Sequence, residues 1–589
     1  VAVVVAVAGC GGDSGSSVKV HALWYGKTAD GKTRGGVTPI GITAARDNPK
    51  TPLSVDLRGL RASGAGPMWT ATTAVAATQA ALVSGVDPRL QELKYSLRDT
   101  IDGPSAGALL SVGSLAALRG LKLSGSTTMT GTVLPDGSVG PVGGIAEKLQ
   151  AAAAAGFTRV LVPAGMRFVS DPRTDKRIDL SRGRAFGVKV TPVASVPQAY
   201  SLMTSEPTRA AERQPAPISP GLLRMLAGRS RALIAAAQQD VTDLSRGAGG
   251  PAENVTQIRA SMLAARRALS TDPVYAFAAS SEAALAGQQA VAVVGARAAA
   301  RHTTLNQLAV QLARSARQSE ATIRRQVRAT AELPVSRIAQ LTALSDCLTS
   351  GTSALTALDV AETRLKTVRT EAQLEEIVRF LEAARFDASN NMTACASSLA
   401  FLGKHQINRR TVSLLDAYAD LIAYAADANR RYADSLGLRP SNTSYLGQLL
   451  KEADDLSAAV SPDFRNLRGQ TARPALRLSV ALLEDVESTQ LVNNLTYSSS
   501  SGPPNLAPIR SPLTVRSQAH TADAIASEQV RELAAAGRDP SFLQWSSQWG
   551  ADLAFGRLPN TTQEQTLRGL QSQWFAVLQS RLLDALAPR

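Results

Sequence analysis

The sequence predicts an α/β domain followed by a large all-α domain. Three observations carry this expectation. In residues 18–204, short β-branched runs alternate with Ala-rich apolar stretches at helical spacing, the pattern of strands packed against helices. Residues 205–221 then place Pro207, Pro215, Pro217 and Pro220 among polar residues, which marks a linker. From 222 to about 495, Ala, Leu, Arg and Gln recur at three- and four-residue spacings, and the chain reads as nearly all helix. A chain of 589 residues is long enough for two to four domains.

Taken in order, 18–25 reads as a strand, and 37–44 and 53–57 as two more. Residues 67–84 open on Pro67 and form an apolar helix with Trp69 in the core. Residues 92–99 alternate like a strand and lead into the Gly-rich turn at 102–107. A helix over 106–118 follows, then a strand over 126–132 and a tight turn at Leu134-Pro135-Asp136-Gly137. A second helix covers 145–155 and stops at Gly156. Residues 158–162 form a buried strand, 171–184 a charged loop with room for a short helix, 188–193 a last strand and 196–204 a closing helix. In the helical region, breaks are expected near 247–251, Pro334, Gly351 and Pro440. The segment Ala264-Ala265-Arg266-Arg267-Ala268-Leu269 before Asp272-Pro273 has a repeat flavour but no steady period, so an irregular bundle is expected. Residues 498–512 are a Ser/Pro-rich loop, and 515–587 give about three more helices.

One motif invites a wrong reading. Gly26-Lys27-Thr28-Ala29-Asp30-Gly31-Lys32-Thr33 fits G-x-x-x-x-G-K-T, the phosphate-binding loop. That loop must open a helix, whose first amides hold the phosphates. Here Arg34-Gly35-Gly36-Val37-Thr38-Pro39 follows, which reads as loop and strand, so a hairpin turn is expected and ATP binding is not.

The chemistry concentrates between Asp102 and Leu149. Asp102-Gly103-Pro104-Ser105-Ala106-Gly107 puts a serine at the start of a helix, where free amides and the helix dipole can stabilise an oxyanion. Gly103 and Gly107 let the backbone turn and let a carbonyl approach. A serine needs a base. Lys148 lies near the start of the next helix, where burial and the positive helix end both lower a lysine pKa. The segment 103–107 also fits the G-x-S-x-G elbow of α/β-hydrolases, but the histidines after Ser105 are His302, His405 and His520, all in the helical region. The bland alternative is a Gly-rich turn capped by a serine.

Asp-Gly-Pro-Ser-Ala-Gly at 102–107, Met129-Thr130-Gly131, and Pro141-Val142-Gly143-Gly144-Ile145 followed by Lys148 together resemble the proteolytic domain of Lon-family serine peptidases. The resemblance covers roughly residues 36–204. It implies an α/β Lon-type proteolytic domain with a Ser-Lys dyad: Ser105 as nucleophile and Lys148 as base. Thr130 matches the threonine near the dyad lysine, and Asp102 the acid that shapes the site. The sequence departs from the family at Thr132, where glutamate is common, and on the strand Glu92-Leu93-Lys94-Tyr95-Ser96-Leu97, which lacks the histidines many members carry. The resemblance does not extend to the Lon ATPase module. Assembly into a homo-oligomer is implied, since such domains commonly form rings.

The formal net charge is +15, but no dense basic run of five or more appears, so no nucleic-acid partner is expected. Residues 1–8 are all Val or Ala and lead into Gly9-Cys10 and a Gly/Ser tail. This resembles the end of a bacterial lipoprotein signal peptide, with Cys10 acylated and a flexible tether behind it. An exported protein on the extracytoplasmic side of a membrane makes Cys347 and Cys395 most simply a disulfide. With four scattered histidines and three cysteines, no metal site and no cofactor is expected. The expected layout is 1–17 signal end and tether, 18–205 peptidase domain, 206–221 linker, 222–497 helical domain, 498–514 loop and 515–589 C-terminal helices. The function expected is ATP-independent, membrane-anchored cleavage of peptides or unfolded proteins. The alternative is an inactive peptidase-like lipoprotein serving as a helical binding scaffold.

Overall fold

Alternation of apolar and polar side chains in the first hundred residues produces a long hairpin. In the computed structural model, β1 (Ser16–Lys27) pairs antiparallel with β2 (Thr33–Ala45), with Trp24 opposite Gly36 and Tyr25 opposite Gly35. Lys27 and Thr33 are paired on the two strands, so no helix opens after the phosphate-loop-like motif. The structure describes residues 16–27, 33–45, 54–98, 101–164, 166–171, 174, 176–204, 217–246, 252–403, 405–435, 466–498, 512–559 and 563–587. The expected turn at 28–32, Cys10, most of the tether and linker, and the breaks at 247–251 and Pro440 lie outside them. β1 begins inside the expected tether, at Ser16.

By internal contacts the chain divides into two compact units, Val1–Val133 with Pro141–Thr208, and Leu134–Gly140 with Arg209–Arg589. The tight turn expected inside the α/β domain therefore groups with the second unit.

The first unit continues with β3 (Ser54–Asp56), α1 (Arg58–Ala62), α2 (Pro67–Ser84), β4 (Glu92–Leu97), α3 (Gly107–Arg119), β5 (Thr127–Met129) and β6 (Thr132–Val133). After β7 (Val139–Gly140) come α4 (Ile145–Ala154), β8 (Arg159–Pro163), β9 (Phe168–Ser170), β10 (Arg177–Asp179), β11 (Arg184–Ala185), β12 (Val188–Val193) and α5 (Val196–Thr204). One sheet runs β1-β2-β4-β3, and a second runs β11-β12-β8-β5 with β12, β8 and β5 parallel. One expectation needs correction: the strand expected over 126–132 breaks at Thr130-Gly131, for a reason given below. The charged loop holds a short helix, the 3-10 turn Leu180–Arg182, where Leu180 is buried in the core with Phe157, Val160 and Val188, and it also contains β10.

Helix α2 is apolar nearly all round, and α3 is buried from Gly107 through Leu118, as a helix without a polar face must be. Two hydroxyls that α3 buries find partners: Ser111 Oγ donates to Gly107 O, and Ser114 Oγ lies 2.6 Å from the Tyr95 hydroxyl.

The second unit is helical. It contains α6 (Pro220–Arg246), α7 (Ala252–Ala268), α8 (Pro273–Ala300), α9 (Leu305–Ala331), α10 (Ile338–Leu365), α11 (Glu371–Phe386), α12 (Met392–Ser398) and α13 (Arg409–Ser435). Helices Ala472–Ser498, Pro512–Ala535, Ser541–Ala554 and Gln563–Leu586 complete it. Asp272 caps α8 by accepting from Tyr275 N–H, with Pro273 in the first turn. Gly351 does not break a helix. It lies within α10, where an added Cβ would come 2.6 Å from Met392 Sδ and from Val327 Cγ2, so it serves close helix packing. Among the described residues, no helix is long and apolar enough to cross a membrane.

Cys347 on α10 and Cys395 on α12 are joined in a disulfide across 48 positions. Closing a loop of that length removes unfolded-chain entropy equivalent to about 4 kcal/mol. Cys347→Ser with Cys395→Ser is therefore expected to lower unfolding stability by about 2–4 kcal/mol in a denaturant titration. An unchanged midpoint would contradict this.

Candidate active site

The Gly-rich turn is held from both sides. At its start, Asp102 Oδ1 accepts from Gly103 N–H at 2.8 Å and from Trp69 N–H at 2.9 Å. Trp69 lies in the first turn of α2, whose own N-cap, Gly66, has no side chain to offer. Asp102 thus caps α2 from a distant loop and places a negative charge at a positive helix end. A Cβ on Gly66 would fall 2.1 Å from the Asp102 carboxyl carbon. Gly103 has φ +118°, a conformation that side chains disfavour.

At its end the turn closes onto α3. Gly107 N–H donates to Pro104 O at 3.1 Å. A Cβ on Gly107 would lie 2.8 Å from both Thr72 Cγ2 and Val133 Cγ1, so the first turn of α3 admits glycine there. The Ser105 carbonyl accepts twice, from Gly131 N–H at 2.8 Å and from Thr130 Oγ1 at 3.1 Å. Ala108 N–H returns to Gly131 O at 3.1 Å. These bonds turn Gly131 away from the sheet and account for the strand break at Thr130-Gly131. Among the described residues, the amides of Ser105 and Ala106 hold no hydrogen bond, as expected of donors at a helix start.

Lys148 is in the first half of α4 and is fully buried. Its Nζ donates to Thr130 Oγ1 at 3.3 Å. Thr130 therefore accepts from the amine and donates to the Ser105 carbonyl, using its hydroxyl in both senses. Among the described residues, no direct hydrogen bond joins Lys148 Nζ to Ser105 Oγ. Burial lowers the Lys148 pKa from 10.5 to about 7, against the weaker opposing pull of Glu147. An appreciable fraction of that amine is therefore uncharged at neutral pH. Burial is the cause on view, where the sequence had also suggested the helix dipole.

Tyr25 is the residue that sequence reasoning missed. Its ring centroid lies 5.4 Å from Lys148 Nζ. Glycines make room for this arrangement. A Cβ on Gly144 (φ +66°) would strike the Tyr25 ring at 2.2 Å, and one on Gly35 would strike the Glu147 carbonyl oxygen at 2.2 Å. A signal did exist: Trp24-Tyr25 and Gly35-Gly36 sit symmetrically about the hairpin, aromatic opposite glycine.

Ser105, Thr130, Lys148, Asp102, Gly103 and Gly107 thus come together in the first unit. Cys347 and Cys395 belong to the second unit.

A serine at a helix start, a buried amine of lowered pKa and a threonine between them define a serine-peptidase type of site on an α/β scaffold. Residues 100–168 match the family model described as the Lon protease (S16) C-terminal proteolytic domain. The chain is 50% identical over 66 residues to a Lon protease of Methylocella silvestris, which is 11% of this chain and 8% of that protein. It is 34% identical over 117 residues to Lon protease 2 of Sorangium cellulosum, or 20% of this chain and 14% of that protein. A Lon protease of Phenylobacterium zucineum is 47% identical over 66 residues, covering 11% and 8%. The chain carries a Lon-family peptidase domain, followed by a large helical region. It spans only 8 to 14% of the length of these relatives.

Asp102→Ala removes the cap on α2 and the anchor of the Ser105 turn. It is expected to cost about 1 kcal/mol in unfolding stability, with Asp102→Asn retaining most of it. Equal stability of Asp102→Ala and the parent in chemical denaturation would remove the capping role.

Proposed function

We propose that this chain is a serine endopeptidase in which Ser105 is the nucleophile and Lys148 its general base. The observation that carries the reading is the buried Lys148 amine, uncharged near neutral pH and one hydroxyl away from the Ser105 backbone. Ser105 Oγ attacks the scissile carbonyl as its proton passes to Nζ. The carbonyl oxygen takes up negative charge beside the amides of Ser105 and Ala106. Nζ returns the proton to the leaving amine, an acyl-enzyme remains, and water releases it by the same route reversed. This requires Ser105 Oγ to come within about 3 Å of Nζ, a contact that often tightens only when substrate is bound.

The wider reading rests on sequence. An acylated Cys10 would hold the protein to the extracytoplasmic face of a bacterial membrane. Peptides and unfolded segments are the substrates, without ATP-driven unfolding, and copies of the chain assemble into a homo-oligomer.

A fluorophosphonate probe and a peptide-library digest test the dyad together. The parent chain should be labelled and should cleave. Ser105→Ala and Lys148→Gln should lose at least about a thousandfold in cleavage while remaining folded. Because only the unprotonated amine accepts a proton, cleavage should rise with pH through about 7 and level off above it. Labelling of Ser105→Ala equal to the parent, or full turnover by Lys148→Gln, would contradict the dyad and leave the scaffold reading.

A further inference from the structure

We propose that the helical unit binds a small primary amine, as its ammonium ion, carrying an aromatic or bulky apolar body. The site is a cavity of about 330 Å³ walled by helices α8, α10 and α11 and by the helices Ser541–Ala554 and Gln563–Leu586. That volume is in the range of small-molecule sites. Phe380 and Phe386 come from α11, Phe575 from the helix Gln563–Leu586, and Trp545 and Trp549 from the helix Ser541–Ala554. Such rings supply apolar surface, and their faces attract a cation.

The polar groups on the same walls are incompletely served by the protein. Ser281 Oγ and Trp545 Nε1 belong to side chains 6% and 3% exposed, and neither atom has a hydrogen-bond partner. Asn391 Oδ1 is likewise unpartnered, although its Nδ2 donates to Asp387 Oδ1 at 2.7 Å. Buried polar atoms left this way cost stability unless something else meets them. Asn391 and Asp387 come from a π-helical turn, Asp387–Asn391, inserted between α11 and α12, and such turns concentrate at functional sites.

The charges decide the sign of the ligand. The titratable groups lining the cavity are Glu282, Asp346, Asp387, Glu487 and Arg568, four acids against one base. Arg568 acts on Glu282 and Asp387, and Gln565 also donates to Glu282. Asp346 is different. Among the described residues it makes no hydrogen bond or ion pair, and burial alone pushes its pKa up to about 7. Its side chain keeps some accessible surface although protein surrounds it deeply, the mark of a group facing a cavity. A charged amine placed against Asp346 supplies the missing counter-charge. No group of three or more His, Cys, Asp or Glu side chains among the described residues could hold a metal ion, so an organic cation fits better.

The test is calorimetric titration of the full chain with phenethylamine, and with 2-phenylethanol as its uncharged counterpart. Phenethylamine should bind one to one and saturably, at least roughly tenfold more tightly than the alcohol. Its affinity should rise between pH 6 and 8, where the amine stays charged while Asp346 and Glu282, both pushed up to about 7 by burial, ionise. Asp346→Asn should weaken binding at least roughly tenfold, and Ser353→Phe, which fills the cavity, should abolish it. No saturable binding of the amine, equal affinity for the alcohol, or unchanged affinity in Asp346→Asn would each overturn the proposal. The pH series uses the parent chain and decides the matter even if a variant fails to fold. Peptidase activity is not the readout, so this result stands apart from that of the dyad.

Discussion

The burial of one amine organises the peptidase domain. Water would keep Lys148 charged well above neutral pH; protein on every side does not. Among the described residues its hydrogen-bond partner is Thr130 Oγ1, which in turn is tied to the Ser105 carbonyl. The three residues come from a turn, a broken strand and a helix, so their spacing depends on how those elements pack.

That packing is exacting because backbones approach closely. Gly107 lets α3 seat against Thr72 and Val133, while Gly35 lets β2 meet the backbone of α4 beside Lys148. Asp102 joins the Ser105 turn to the start of α2, and the apolar helices α2 and α3 fill the space beneath. Tyr25 covers one side of the amine. The site is therefore made by interior contacts among packed elements, which keep water from the Lys148 amine.

Much of this was legible in the residues. Pro67 to Ser84 has proline at its start, glycine after its end and Ala-rich apolar residues at helical spacing, and it is a helix over that span. The motifs around Ser105, Thr130 and Lys148 pointed to residues that the structure brings together. What escaped depends on partners distant in the chain. The break at Thr130-Gly131 arises from the Ser105 carbonyl, Tyr25 reaches Lys148 across a hairpin, and Leu180 is drawn into the core despite charged neighbours. Gly351 looked like a helix break because its role, contact with Val327 and Met392, lies on other helices. In the helical unit, periodicity revealed helices but not the acid-lined cavity, whose walls come from segments nearly three hundred residues apart in number.

The lowered basicity of Lys148 is open to direct measurement. In protein carrying lysine labelled with carbon-13 at Cε, the Lys148 resonance, assigned by its loss in Lys148→Met, is followed as pH is raised. A titration midpoint near 7 is the result the buried amine requires. A midpoint near the ordinary lysine value of 10.5 would mean a charged, solvated side chain, and the account of this site would fail.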